Sequence, residues 1–176
     1  MRKLKNEELN RLTVQEFRNE IKIPLIVILD NIRSMNNIGS VFRTGDAFKI
    51  EEILLCGITA TPPNKEIHKT ALGATESVNW RYVQETLDAV NDLKNKGYKI
   101  ISVEQAENSI SLFSLELEKN EKYAVIFGHE VKGVQQEVVN SSDLVTEIPQ
   151  YGTKHSLNIS VCAGIVICEF FKKLYY

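Results

Sequence analysis

The run Pro24-Leu-Ile-Val-Ile-Leu-Asp30 is apolar without interruption until its final residue and contains three β-branched side chains. A strand with one wet face alternates apolar and polar residues, so a run like this must be covered on both faces. Comparable runs follow at Ile53-Leu-Leu-Cys-Gly57, Lys99-Ile-Ile-Ser-Val103 and Tyr123-Ala-Val-Ile-Phe127, with shorter strands expected at Trp80–Val83 and Leu144–Ile148. Helical patterns lie between them: from about 37 to 48, from 86 to 95 with Gly97 as the stop, and from about 157 to the end. The run 59–65, with Pro62-Pro63, reads as a loop. This alternation defines an α/β fold, a mostly parallel sheet flanked by helices. A chain of 176 residues fits one such domain, assigned to 23–176, preceded by an N-terminal helical extension over 1–22.

The extension carries six basic side chains (Arg2, Lys3, Lys5, Arg11, Arg18, Lys22) against four acidic ones (Glu7, Glu8, Glu16, Glu20). Leu9, Leu12 and Phe17 draw a thin apolar stripe along it, consistent with an amphipathic helix that packs on the domain or contacts RNA. The whole chain has a net charge of −2, so nucleic acid would be held by local basic patches rather than by a global field. Cys56, Cys162 and Cys168 all sit in apolar runs, no CxxC occurs, and His68, His129 and His155 lie at no zinc-site spacing. Buried reduced thiols and no metal are therefore expected. The charged amino terminus lacks a signal peptide's apolar core. The longest apolar stretch, 157–171, is interrupted by Asn158, Ser160 and Glu169 and is short for a membrane span. The expectation is a cytoplasmic protein with no membrane contact.

Three segments carry chemistry. In Asp30-Asn-Ile-Arg-Ser-Met-Asn-Asn-Ile-Gly-Ser-Val-Phe-Arg43, residues Ile38, Val41, Phe42, Gly45 and Phe48 form a core stripe, while Asn36, Ser40 and Arg43 fall on the opposite face. A guanidinium on a helix leaving the carboxyl end of a strand points towards the crevice where α/β sheets bind ligands, and its fork of donors suits phosphate. A surface Arg satisfies the same pattern. In Phe127-Gly-His-Glu-Val-Lys-Gly-Val134, two glycines flank a carboxylate directly after a strand, which allows close backbone approach to a ligand. A strand-ending turn with a solvated Glu fits equally, and neither a Walker loop nor a dinucleotide fingerprint is present. In Ile148-Pro-Gln-Tyr-Gly-Thr-Lys-His-Ser-Leu-Asn-Ile-Ser-Val161, a polar loop leads through Ser156 into a helix that is apolar nearly all round. Such a terminal helix is expected to meet another subunit, and Asn158 and Ser160 within it need polar partners.

In this order and spacing the three segments closely resemble the motifs of the SpoU/TrmH family of SPOUT methyltransferases. Asn37, Gly39 and Arg43 match its first motif; Gly128, Glu130 and Gly133 its second; Ile148, Pro149, Ser156, Leu157, Asn158 and Ser160 its third. Leu72-Gly-Ala-Thr-Glu76 looks like the family's segment between the first two, and the likeness covers roughly Pro24 to Lys172. The resemblance implies a C-terminal deep trefoil knot, a rarity that periodicity alone never suggests. It implies S-adenosylmethionine as methyl donor, held by Val103, Glu104, Phe127, Gly128, Gly133, Ile148, Ser156 and Leu157. It also implies a homodimer that methylates a ribose 2′-hydroxyl in tRNA or rRNA, with Arg43 at the catalytic centre. Asn37, Glu130, Ser156 and Asn158 would orient Arg43 and the hydroxyl.

Guanidinium is a poor base because it stays protonated. Positioning and charge stabilisation therefore suit Arg43 better than proton removal, which falls to phosphate or water. Three other readings remain open at this level: a non-catalytic RNA-binding relative, a knotted methyltransferase acting on a base, on tRNA at another position or on a small molecule, and an ordinary dinucleotide-binding enzyme, against which the missing glycine fingerprint counts.

Overall fold

In the computed structural model, which describes residues 1–176 apart from the Asn6 side chain, the apolar runs become strands of one sheet. They are β1 (Ile23–Asp30), β2 (Ile50–Cys56), β3 (Asn79–Val83), β4 (Tyr98–Val103), β5 (Ile110–Ser111), β6 (Lys122–Phe127) and β7 (Leu144–Glu147). Their order is β3-β2-β1-β6-β4-β7-β5, and every registered pair is parallel. The helices are α1 (Val14–Asn19), α2 (Met35–Ala47), α3 (Lys65–Ala71), α4 (Ala74–Ser77), α5 (Thr86–Asn95), α6 (Gln136–Ser141) and α7 (Ile159–Tyr175). Among the described residues no helix is long and apolar enough to cross a membrane.

The apolar run of β1 is explained by its place between β2 and β6. Leu25, Val27 and Leu29 point into a core shared with Ile38, Val41 and Phe42 of α2 and Ala163, Val166, Ile167 and Phe170 of α7. Ile26 and Ile28 point the other way, into a second core with Ala89, Val90 and Leu93 of α5 and Val138 of α6. Each fully buried Leu or Ile contributes about 1.5–3 kcal/mol relative to exposure, so the central strands anchor the fold.

Several local expectations are corrected. The extension is not one amphipathic helix: a 3₁₀ turn (Asn6–Leu9) and α1 are separated by Asn10, whose φ is 46°. Only Phe17 of the stripe is buried, while Leu9 and Leu12 stay exposed. The loop after β2 ends in α3, started by Asn64, whose Oδ1 accepts from the N–H groups of Glu66 (2.9 Å) and Ile67 (3.4 Å). The last helix begins at Ile159 rather than 157, because Asn158 is its N-cap and accepts from Ser160 N–H at 2.9 Å. That helix is also not buried all round, since Val161 and Cys168 face outward.

Gly39 sets the approach of α2 to α3. A Cβ there would overlap the Ile67 carbonyl and the Thr70 hydroxyl, and the carbonyl is backbone that cannot swing away. Thr70 Oγ1 meanwhile donates to the Asn36 carbonyl at 3.0 Å, fastening α3 to the first turn of α2. Gly39→Ala should therefore lower folding stability by about 1–3 kcal/mol through overpacking, read as a lower urea midpoint with an unchanged slope.

Candidate active site

β1 and β6 are neighbours in register, with Leu29 opposite Phe127. Their outgoing loops consequently leave the carboxyl edge of the sheet side by side. The chain after β1 turns towards β2, on the side of β1 away from β6, which opens a crevice of the kind where parallel sheets bind ligands. Beside it, at the carboxyl ends of β4, β6 and β7, the loops that leave these strands and the start of α7 enclose a cleft of about 510 Å³.

The cleft gathers most of the residues singled out from the sequence. Val103, Glu104, Phe127, Gly128 and Gly133 line one part of it, and Ile148, Ser156 and Leu157 another. Glu130 and Asn158 also reach it. Asn37 does not line the cleft but stands behind it, and Arg43 lies outside it, exposed on the outer face of α2. Among the described residues Arg43 makes no hydrogen bond or ion pair.

Glu130 links the segments. Its carboxylate accepts from the backbone N–H groups of Arg33 (3.0 Å) and Ser34 (2.9 Å) and from Nδ2 of Asn37 (3.3 Å). The Asn37 side-chain oxygen in turn accepts from Asn158 Nδ2 at 3.3 Å, and Asn158 Oδ1 accepts from the Ser160 hydroxyl at 2.7 Å. Burial alone would raise the Glu130 pKa. The N–H groups of Arg33 and Ser34, its own N–H and the Asn37 amide outweigh burial and hold the carboxyl below its ordinary value.

Gly128 has to be glycine for a steric reason. A Cβ on it would overlap the backbone of Gly133 and Val134, because His129 and Gly133 exchange N–H···O bonds of 3.0 and 2.8 Å across a tight turn. Two further carboxylates brace that turn. Glu104 Oε2 accepts from Val134 N–H at 3.0 Å. Asp30 is fully buried, accepting from Gln135 N–H (3.0 Å), Gln135 Nε2 (2.8 Å), Thr86 Oγ1 (2.6 Å) and Asn31 Nδ2 (2.8 Å). Sequence reasoning assigned Asp30 no role. The available signal was a lone charge ending an otherwise apolar strand. Nothing in the sequence marked Gln135 as its partner. Also on the cleft wall is Cys162, whose thiol burial, and next the Glu104 charge, push up to about 11. It remains a neutral thiol near pH 7 and no nucleophile.

Residues 24–168 match the model of the SpoU rRNA Methylase family. An uncharacterised tRNA/rRNA methyltransferase of Borreliella burgdorferi is 31% identical over 85% of this chain and 64% of its own length. The 23S rRNA (guanosine-2′-O-)-methyltransferase RlmB of Neisseria meningitidis is 31% identical over 83% of this chain and 57% of its own. The AdoMet-bound rRNA methyltransferase of Sinorhizobium meliloti has the same fold, with a TM-score of 0.79 at 23% identity over 90% of this chain and 60% of that one. The chain thus spans under two thirds of the length of these relatives. It belongs to the SpoU methylase family.

Because the Glu130 carboxyl is held low in the folded state, its contribution to stability is complete above the unfolded pKa and is lost as pH falls through the lower folded value. Glu130→Gln should destabilise the protein at pH 7 by about 1–3 kcal/mol, since an amide cannot serve both backbone donors as a carboxylate does. In urea denaturation the gap between variant and wild type should narrow as the pH falls below 4.

Proposed function

We propose that this protein is an S-adenosylmethionine-dependent RNA ribose 2′-O-methyltransferase, acting on tRNA or rRNA in the cytoplasm. The observation that carries the reading is the joining of the three motif segments, Asn37 to Glu130 and Asn37 to Asn158, at the rim of one cleft. The cleft fits the donor. About 510 Å³ is within the usual range for small-molecule sites. Val103, Phe127, Ile148 and Leu157 supply apolar walls for an adenine, and Glu104 and Glu130 supply negative charge for a cationic ligand. When bound, S-adenosylmethionine supplies an electrophilic methyl group on a sulfonium.

The chain's own residues then hold the acceptor. Arg43 stands exposed six residues along α2 from Asn37 and, among the described residues, free of ion pairs, as suits a cation that grips an RNA phosphate and steadies the ribose hydroxyl. Arg33, Lys65 and Lys69 are exposed cations of the α2–α3 region, and they supply the local positive surface that a net charge of −2 does not. With the donor bound, the hydroxyl would pass its proton to phosphate or water as the oxygen–methyl bond forms and the sulfur–methyl bond breaks. Asn37, Glu130, Ser156 and Asn158 fix the local geometry.

Arg43 lies outside its own cleft, while Val161 and Cys168 leave part of the outer face of α7 uncovered. Both facts support a homodimer in which Arg43 serves the partner's site. The connection from β7 to α7 is read as the knotted segment. Leu112 N–H donates to the Glu147 carbonyl at 2.8 Å and Gln105 Nε2 to the His155 carbonyl at 2.7 Å. The β4–β6 connection thereby touches it at two points. A knot there would lock the binding-site segments together by topology as well as by hydrogen bonds.

Arg43→Ala should bind S-adenosylmethionine as wild type does in calorimetry and remain dimeric in ultracentrifugation. Its methyl transfer to RNA from a deletion strain should fall by about a hundredfold or more. The wild-type product, digested to nucleosides, should contain a 2′-O-methylnucleoside. A methylated base instead, or full transfer by the variant, overturns the assignment.

A further inference from the structure

His129 occupies the middle position between Gly128 and Glu130, where its side chain does more than fill the turn. Its Nδ1 accepts from the backbone N–H groups of Val131 (3.0 Å) and Lys132 (3.2 Å). Those two donors and the paired backbone of His129 and Gly133 account for every backbone N–H of the turn from Val131 to Gly133. A ring nitrogen that accepts must carry no proton, which places the imidazole hydrogen on Nε2. The imidazole thus does what an Asn or Asp side chain does in an Asx turn, folding a loop back on the residue that begins it.

The turn held this way bears Glu130, which ties the loop after β6 to the start of α2. His129, Glu130, Val131 and Gly133 also form part of the cleft wall. We propose that His129 is a positioning residue that assembles the donor cleft through the acceptor at its Nδ1. Loss of that acceptor leaves two N–H groups of the turn without their partner, so the turn opens and Glu130 and the cleft wall move with it.

The titratable and charged groups that share the cleft wall with His129 are Glu130 on its own turn, Glu104 after β4, Glu147 at the end of β7 and His155 on the segment after it. Glu130 is held ionised by its own partners. His155 is the other imidazole at the cleft, and it gives up only its backbone carbonyl, to Gln105. The amides of Val131 and Lys132 therefore report on His129 specifically.

The proposal rests on the donor reading for its functional consequence, and its structural part is read independently of it. The test uses the full-length ¹⁵N-labelled protein as wild type, His129→Asn and His129→Ala. Asn keeps a short acceptor and Ala removes it. Hydrogen-exchange protection factors of the Val131 and Lys132 amides should be high in wild type and in His129→Asn, and low in His129→Ala. Affinity for S-adenosylmethionine, measured calorimetrically, should weaken by about fivefold to tenfold in His129→Ala and be restored in His129→Asn. Protection that survives in His129→Ala overturns the proposal, as does a donor affinity that His129→Asn fails to restore. If the wild type binds no S-adenosylmethionine, the methyltransferase reading fails instead, while the amides still decide the role of His129.

Discussion

Two backbone N–H groups at the start of α2, those of Arg33 and Ser34, converge on the Glu130 carboxylate, and the rest of the site is arranged about that contact. The start of a helix has N–H groups without intrahelical partners and the positive end of the helix dipole. A capping side chain usually meets this need locally, and Ser34 does so for Asn37. Here a carboxylate nearly a hundred residues further along the sequence adds to it. The contact is possible because β1 and β6 are adjacent and in register, so that the turn into α2 and the turn after β6 emerge at the same height. Asn37 then carries the connection to Asn158 and the start of α7.

Around that contact the loop from Gly128 to Gln135 is held at three points. Glu130 holds its middle, Glu104 its Val134 end, and the buried Asp30 its Gln135 end. A buried carboxylate is costly unless each oxygen is satisfied, and the four donors to Asp30 meet that condition. The consequence for binding is preorganisation. One wall of the cleft is fixed before any ligand arrives, so little ordering cost remains to be met on association. The opposite wall differs, as residues 150–157 are exposed throughout and are tied back at His155 by a single side-chain hydrogen bond.

The central strands were legible in the sequence because burial on both faces leaves an apolar run that no helix period reproduces. The edges of β1, β4 and β6 fell within a residue or so of expectation. Elements of two to seven residues, β5 and helices α3, α4 and α6, are too short to establish a period, and so they escaped notice. The N-terminal extension misled for a related reason: three apolar residues suggested a stripe, but only Phe17 found a core to enter. At the site, the glycines of the motifs read as permissive backbone, whereas Gly39 is needed where α2 meets α3 and Gly128 where its own turn folds back on Gly133 and Val134. Asp30 and His129 were unreadable as working residues, since each is defined by donors that only the folded turn presents to it.

The sequence by itself determined the strands, the alternation that makes the sheet parallel, the stripe by which α2 meets the core, and the three motif segments that mark the family. Those properties depend on residue type and short spacing, which a linear pattern records. The tertiary structure alone decided which carboxylate meets which N–H, which loops share a cleft, and that Arg43 stands outside the cleft that its motif partners line. A helical period fixes the face a side chain occupies but not what lies opposite that face. That is set by strand order and register, and by contacts between residues about a hundred positions apart.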